Sequence, residues 1–93
     1  MEYIDVTWIH SFNEEPVRLV SELDAQRFEC RKLEFFRDGT VDFADINHEA
    51  SRTKLGTAAI PPLFEINSDK QFKGISIGAR EFETLWIIHS KTN

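Results

Sequence analysis

The sequence predicts an α+β domain: a four-stranded antiparallel meander with a C-terminal helix packed on one face. Three observations carry that prediction. Two N-terminal stretches, Glu2 to Ser11 and Val17 to Leu23, alternate apolar and polar residues with period two. Asp38-Gly39 lies between two phenylalanine-bearing runs. That is the strongest short-range hairpin signal, because both central turn residues need a positive φ. Near the C-terminus Phe82, Leu85, Trp86 and His89 recur at the helical spacing i, i+3, i+4, i+7.

The elements follow in order. In the first strand Ile4, Val6 and Trp8 fall on one side, and Tyr3, Asp5, Thr7 and Ile9 on the other. Phe12 to Pro16 is a polar connection, and Pro16 has no N–H to give to a ladder. In the second strand Val17, Leu19 and Leu23 share a side. Asp24-Ala25-Gln26 is a short turn. Arg27 to Ile46 is the hairpin, with Phe28, Phe35, Phe36, Val41 and Phe43 suited to a pleated, half-buried surface. Asn47 to Ala59 is an irregular loop broken at Gly56. Ile60-Pro61-Pro62-Leu63 cannot continue a strand, but Pro62 suits the first turn of a short helix over Leu63 to Asn67. Ser68 to Ile77 is a further connection. Gly78 to His89 is the one convincing helix, with Gly78 at its N-cap, Glu81 three residues on, and Ile87 and Ile88 widening the stripe. A helix this short is marginal alone. It must lie on the sheet, and the face of Ile4, Val6 and Trp8 is the expected one.

Two tight turns fix a trial register. A two-residue turn at Asp38-Gly39 pairs Phe36 with Val41 and Glu34 with Phe43. A tight turn at Ala25-Gln26 pairs Leu23 with Phe28 and Leu19 with Lys32. One face then carries Val17, Leu19, Leu23, Phe28, Cys30, Phe36, Val41 and Phe43, with Lys32 and Glu34 as charged exceptions. The other mixes Val20, Leu33, Phe35, Ala44 and Ile46 with Arg18, Glu29, Arg31 and Asp42. A sheet with one solvated face would be polar there. Either a bulge near residues 31–33 swaps the faces, or both faces are partly covered.

Ninety-three residues make a single domain, 1–93, large enough for a modest core without staples. Cys30 is the lone cysteine, so no internal disulfide forms and a cysteine zinc site is excluded. The N-terminal stretch has neither a basic region nor a long apolar run, so a cytoplasmic protein without a signal peptide or membrane span is expected. The net charge of −5 is uneven: residues 1–50 hold twelve acids and five bases, residues 51–93 four acids and six bases. An acidic half opposes a phosphate-binding surface and suits a partner with a basic face. The plain alternative is that the acids keep a small protein soluble.

The residues hold no catalytic constellation. His48-Glu49 opens like a zincin helix, but no second histidine follows four residues later. His10, His48 and His89 are better read as structural than as metal ligands. The paired acids Glu14-Glu15, Asp42 with Asp45, and Glu22 with Asp24 lack a cleft to separate their pKa values. Cys30 sits mid-strand on an apolar face, which suits an inert thiol. The glycines make no phosphate loop. Aromatics alternate with bases near Arg27 and residues 31–37, but Glu29, Glu34, Asp38 and Asp42 among them oppose RNA stacking. Arg31, Lys32 and Glu34 form the most unusual group, since mid-strand charges flanked by phenylalanine need partners. A Lys32–Glu34 or Arg31–Glu29 pair is the structural reading, and a ligand contact the functional one.

Five stretches carry a resemblance: Tyr3-Ile4-x-Val6-x-Trp8-Ile9-His10, Ser21-Glu22-Leu23-Asp24 followed by Arg27, Arg37-Asp38-Gly39, Ile60-Pro61-Pro62-Leu63-x-Glu65-Ile66-Asn67, and Glu81-Phe82-Glu83-x-x-Trp86. Together, over nearly the whole chain, they resemble a family of small bacterial domains of unknown function. Gly78 stands where that pattern has a Ser or Thr helix cap. The resemblance implies an immunity partner encoded beside a secreted antibacterial toxin, and brings no catalytic residues.

The expected function is therefore binding, not catalysis. An immunity protein would occlude the active site of a cognate toxin domain with a basic cleft, using Glu14, Glu15, Glu22, Asp24, Asp42 and Asp45, with Arg31 and Phe35 on an open sheet face. No cofactor, metal, nucleic acid, membrane or small-molecule substrate is expected. The alternative from another class is a small ligand-binding or enzymatic domain in which Arg31, Glu34 and His10 converge in a pocket. A third is a subunit that dimerises through the open face.

Overall fold

The computed structural model describes residues 1–91. The two alternating stretches form β1 (Glu2–Trp8) and β2 (Pro16–Leu23), and the hairpin supplies β3 (Glu29–Phe36) and β4 (Val41–Ala44). A short α1 (Leu63–Ile66) precedes β5 (Phe72–Ile77), and α2 (Ala79–His89) is the last element among the described residues. The fold is α+β, but its antiparallel sheet has five strands, not four, in the order β4-β3-β2-β1-β5. The added strand lies in the stretch expected to be a connection. Gly74, Lys73 and Ser76 give it little intrinsic strand preference. Tertiary packing forms it instead. A Cβ on Gly74 would stand 2.8 Å from Leu63 Cδ2 and 3.4 Å from Val6 Cγ2, so glycine lets α1 approach the sheet.

The hairpin register differs from the expected one by a residue. Phe36 N–H donates to Thr40 O (2.9 Å) and Gly39 N–H to Phe36 O (3.0 Å), closing a three-residue loop over 37–39 with Gly39 at φ 91°. Asp38 accepts from the Thr40 N–H (3.0 Å) and hydroxyl (2.7 Å), which holds its carboxyl below its ordinary pKa. Phe35 therefore faces Val41, and Leu33 faces Phe43. A one-residue slip moves a whole strand's side chains to the other face. Leu33, Phe35, Val41 and Phe43 now share one face, and Lys32, Glu34, Asp42 and Ala44 the other.

Between β2 and β3 the expected pairing shifts by two residues, so Leu19 meets Glu34 and Glu22 meets Arg31. A bulge follows, because Leu23 meets Glu29 and Cys30 is the extra residue. The bulge thus sits just before residues 31–33, and it carries Glu29 to the side of Lys32. Both sheet faces are also covered.

One face packs on α2. Phe82 is fully buried against Val20, Leu33 and Ile77, ringed by Tyr3, Phe35, Phe43 and Trp86. This is the Tyr3 face of β1, opposite to the face expected to receive the helix. The register explains it: only here do Val20, Leu33 and Ile77 align to accept an aromatic stripe. The other face carries Ile4, Val6 and Leu23 beneath Ile60, Leu63, Ile66 and Phe72. Residues 60–69, including α1, form a short strap over it. Among the described residues no helix is long and apolar enough to cross a membrane.

Candidate functional site

The strap leaves room beneath it. A groove of about 390 Å³ runs between strap and sheet. Ile4, Val6, Leu19 and Ser21 form its floor, and Ile60, Pro61, Ile66 and Phe72 its walls. Glu29, Glu65 and Asp69 are the charged residues lining it, and all are acids. Period-two alternation in β1 and β2 sets the floor, since these residues share the strap-side face.

Three sequence motifs combine to hold the strap. Asp24 accepts the Gln26 and Phe28 amides (both 2.9 Å) and fixes the turn between β2 and β3. That turn places Arg27 in the left-handed region at φ 67°. Arg27 Nε donates to Ile60 O (2.8 Å), Nη2 to Pro61 O (2.7 Å), and Nη1 to Glu2. The Ile60 N–H donates back to Arg27 O (2.8 Å). At the far end Asn67 brackets Gly74, with Nδ2 donating to its carbonyl (3.0 Å) and Oδ1 accepting its N–H (2.6 Å). The prolines keep the segment extended and free of ladder donors between these ties. The groove is thus preformed.

Beyond Glu29 lies a buried polar network. Lys32 Nζ stands 3.2 Å from Glu29 Oε1 and 3.8 Å from Glu34 Oε2. Thr53, with no exposed surface, donates its hydroxyl to Glu34 Oε1 (2.7 Å), and the Gly56 N–H donates to Glu29 Oε1 (2.6 Å). Burial pushes the Glu34 carboxyl above its ordinary pKa, against the opposing pull of Thr53 and Lys32. The Lys32–Glu34 pair read from the sequence is present. The other pairing differs, since Arg31 meets Glu22 instead of Glu29.

Arg31 and Phe35 lie on the α2 face, which is not open. Arg31 Nε and Nη2 grip Glu22 (2.8 and 2.7 Å), and its guanidinium also bonds Glu83. It lies 4.9 Å from the Phe82 ring centre and 5.1 Å from that of Trp86. The Arg31 hydrogen bonds hold the Glu22 carboxyl below its ordinary pKa. Phe35 meets His89 edge-on, with Arg18 above it. Asp42 bonds Arg52 at 3.2 Å, and Asp45 accepts the Asn47 amide in a turn. Glu14 and Glu15 are exposed in the β1–β2 connection. Of the eight expected contacts, Glu22, Asp24, Arg31, Phe35, Asp42 and Asp45 are therefore engaged within the fold, Glu14 and Glu15 stay exposed, and the groove gathers none of them.

Arg31, Glu34 and His10 do not converge either. Arg31 and Glu34 sit on opposite faces of β3, and His10 lies beyond β1. Sequence reasoning missed the floor and walls of the groove as a site. The signal lay in Ile60-Pro61-Pro62-Leu63 and Arg27, which the resemblance singled out and which prove to be clamp and clamped segment.

A family model described as a domain of unknown function (DUF6881) matches residues 2–91. No curated protein and no solved structure matches the chain. Floor, clamp and strap all lie within the matched span, and the chain belongs to the DUF6881 family.

Proposed function

We propose that this chain is a binding protein of the immunity type, a cytoplasmic inhibitor that engages a cognate toxin domain and does no chemistry of its own. The observation that supports it is the groove, which is apolar, preformed and rimmed by carboxylates. Such a groove suits a protein segment with an apolar anchor between basic residues. The charge of −5 would draw a basic partner at long range. Glu65 and Asp69 join Glu14 and Glu15 as the acids available to it.

Co-expression with the product of the adjacent gene, followed by affinity capture, tests the reading. The expected result is a stable complex and restored growth, both lost when Leu19→Arg fills the groove. No complex and no toxicity would overturn the immunity reading. Undiminished protection by a folded Leu19→Arg variant would overturn the groove as its seat. A second reading has one observation in its favour. The groove's volume falls within the range of about 300–1,000 Å³ typical of small-molecule sites, which would suit an apolar ligand.

A further inference from the structure

A second concavity lies at the end of β1, built from residues the groove does not use. Trp8, Phe12, Asn13, Glu14 and Glu15 line a cup of about 480 Å³. Its loop is held in place. The Phe12 N–H donates to His10 Nδ1 (2.9 Å), which leaves the ring proton on Nε2 to meet Pro16 O (2.7 Å). Arg37 Nη2 donates to His10 O (2.7 Å). The rings are also fixed. Trp8 packs against His10 at 4.2 Å between centroids, against Phe72 at 5.8 Å and against Phe12 at 6.3 Å. Phe12 nevertheless remains 59% exposed beside two exposed carboxylates.

Two aromatic rings with two carboxylates form a set the chain uses elsewhere for one purpose. On the α2 face Phe82, Trp86, Glu22 and Glu83 surround a guanidinium, that of Arg31. We propose that the cup repeats this arrangement for an arginine side chain of a protein partner. A guanidinium is planar and weakly hydrated, so it can stack on Trp8 or Phe12 while its N–H groups reach Glu14 and Glu15. A lysine would satisfy the charge but not the stacking. Arg37, the arginine that touches this loop, is engaged with the His10 carbonyl. Phe72 lines the groove and stacks on Trp8, so cup and groove adjoin. One basic segment can span both. The cup stands on its own residues and holds whether or not the groove seats a toxin.

The test is an NMR titration of the full chain with a short alanine peptide carrying one central arginine, and with the same peptide carrying citrulline, its neutral isostere. The arginine peptide should give saturable shifts at the Trp8 indole and the amides of residues 12–15, with the citrulline peptide about tenfold weaker. Glu14→Gln with Glu15→Gln, and separately Phe12→Ala, should each weaken arginine binding by a similar factor. These side chains are exposed, so the variants keep the fold. Three results would overturn the proposal: no saturable shift up to the solubility of the peptide, equal binding of citrulline, or binding unchanged when both acids are neutralised.

Discussion

The two faces of the sheet are covered by unequal means. On one, the eleven-residue α2 drives Phe82 to zero exposure between Val20, Leu33 and Ile77. Even its charges are paired, with Arg31 gripped by Glu22 and Glu83 against the Phe82 and Trp86 rings. On the other, a four-residue helix and two prolines form a strap tied by Arg27 and Asn67. A cover that interdigitates its side chains leaves no space. A cover held by a few side-chain-to-backbone bonds stands off the sheet and leaves 390 Å³. The difference teaches that helix length divides the labour here: the long cover supplies stability, and the short one leaves a surface for binding.

The contrast can be broken at its strongest point first. Phe82→Ala should lower stability by about 3–5 kcal/mol. Leu19→Ala, on the groove floor, should lower it by only about 1 kcal/mol. Equal losses in urea titration would mean that the strap face is packed as firmly as the helix face.

Glu22→Gln should come next, at about 2–3 kcal/mol, because Arg31 keeps Glu83 but loses a buried fork. Its pH dependence has a definite sign. The folded carboxyl has a depressed pKa, so its contribution is complete above the unfolded value of about 4.3 and is lost as pH falls through the folded one. The wild type should therefore lose more stability on acidification than the variant. Equal acid sensitivity in the two proteins would count against the fork.

Arg27→Ala sharpens the comparison from the strap side. It removes three donors from the strap and Glu2, and should lower stability by about 1–3 kcal/mol while leaving α2 intact. Hydrogen exchange would show faster Ile60 and Ile66 amides against an unchanged Phe82. Uniform acceleration across both covers would mean that strap and helix open as one unit.

Glu34→Gln should have the smallest effect of these, within about 1 kcal/mol at neutral pH. Here the sign reverses. The folded pKa is raised, so the folded state holds this proton more tightly, and stability falls as pH rises from the unfolded value through the folded one. Removing the carboxyl should flatten that slope, read as the urea midpoint between mildly acidic and neutral pH. A steeper slope would place the charge in a stabilising role.

The sequence announced what its periodicities could carry. Alternation in Glu2 to Trp8 and the stripe through Phe82 and Trp86 are local signals, and both elements formed. β5 was hidden because Gly74 is there for Leu63, a contact that strand propensity does not encode. The Asp38-Gly39 turn was recognised, but its third loop residue was not, and one residue sufficed to exchange faces. The helix was expected on the face of Ile4, Val6 and Trp8 and lies on the other, where Arg31 and Glu22 satisfy each other under α2. The groove depends on Arg27 reaching Ile60, 33 residues away, and no local pattern shows that reach.

The bracket of Asn67 around Gly74 has a consequence for how this molecule meets copies of itself. β5 is an outer strand, and such strands offer backbone groups on which another chain can template. Both backbone groups of Gly74 turn to the Asn67 amide, so that side chain stands where a sixth strand would add. The middle of the edge is thereby blunted against aggregation without a proline or a bulge in the strand. Asn67→Ala would then appear less as a shift in melting temperature than as association that grows with concentration, visible by light scattering.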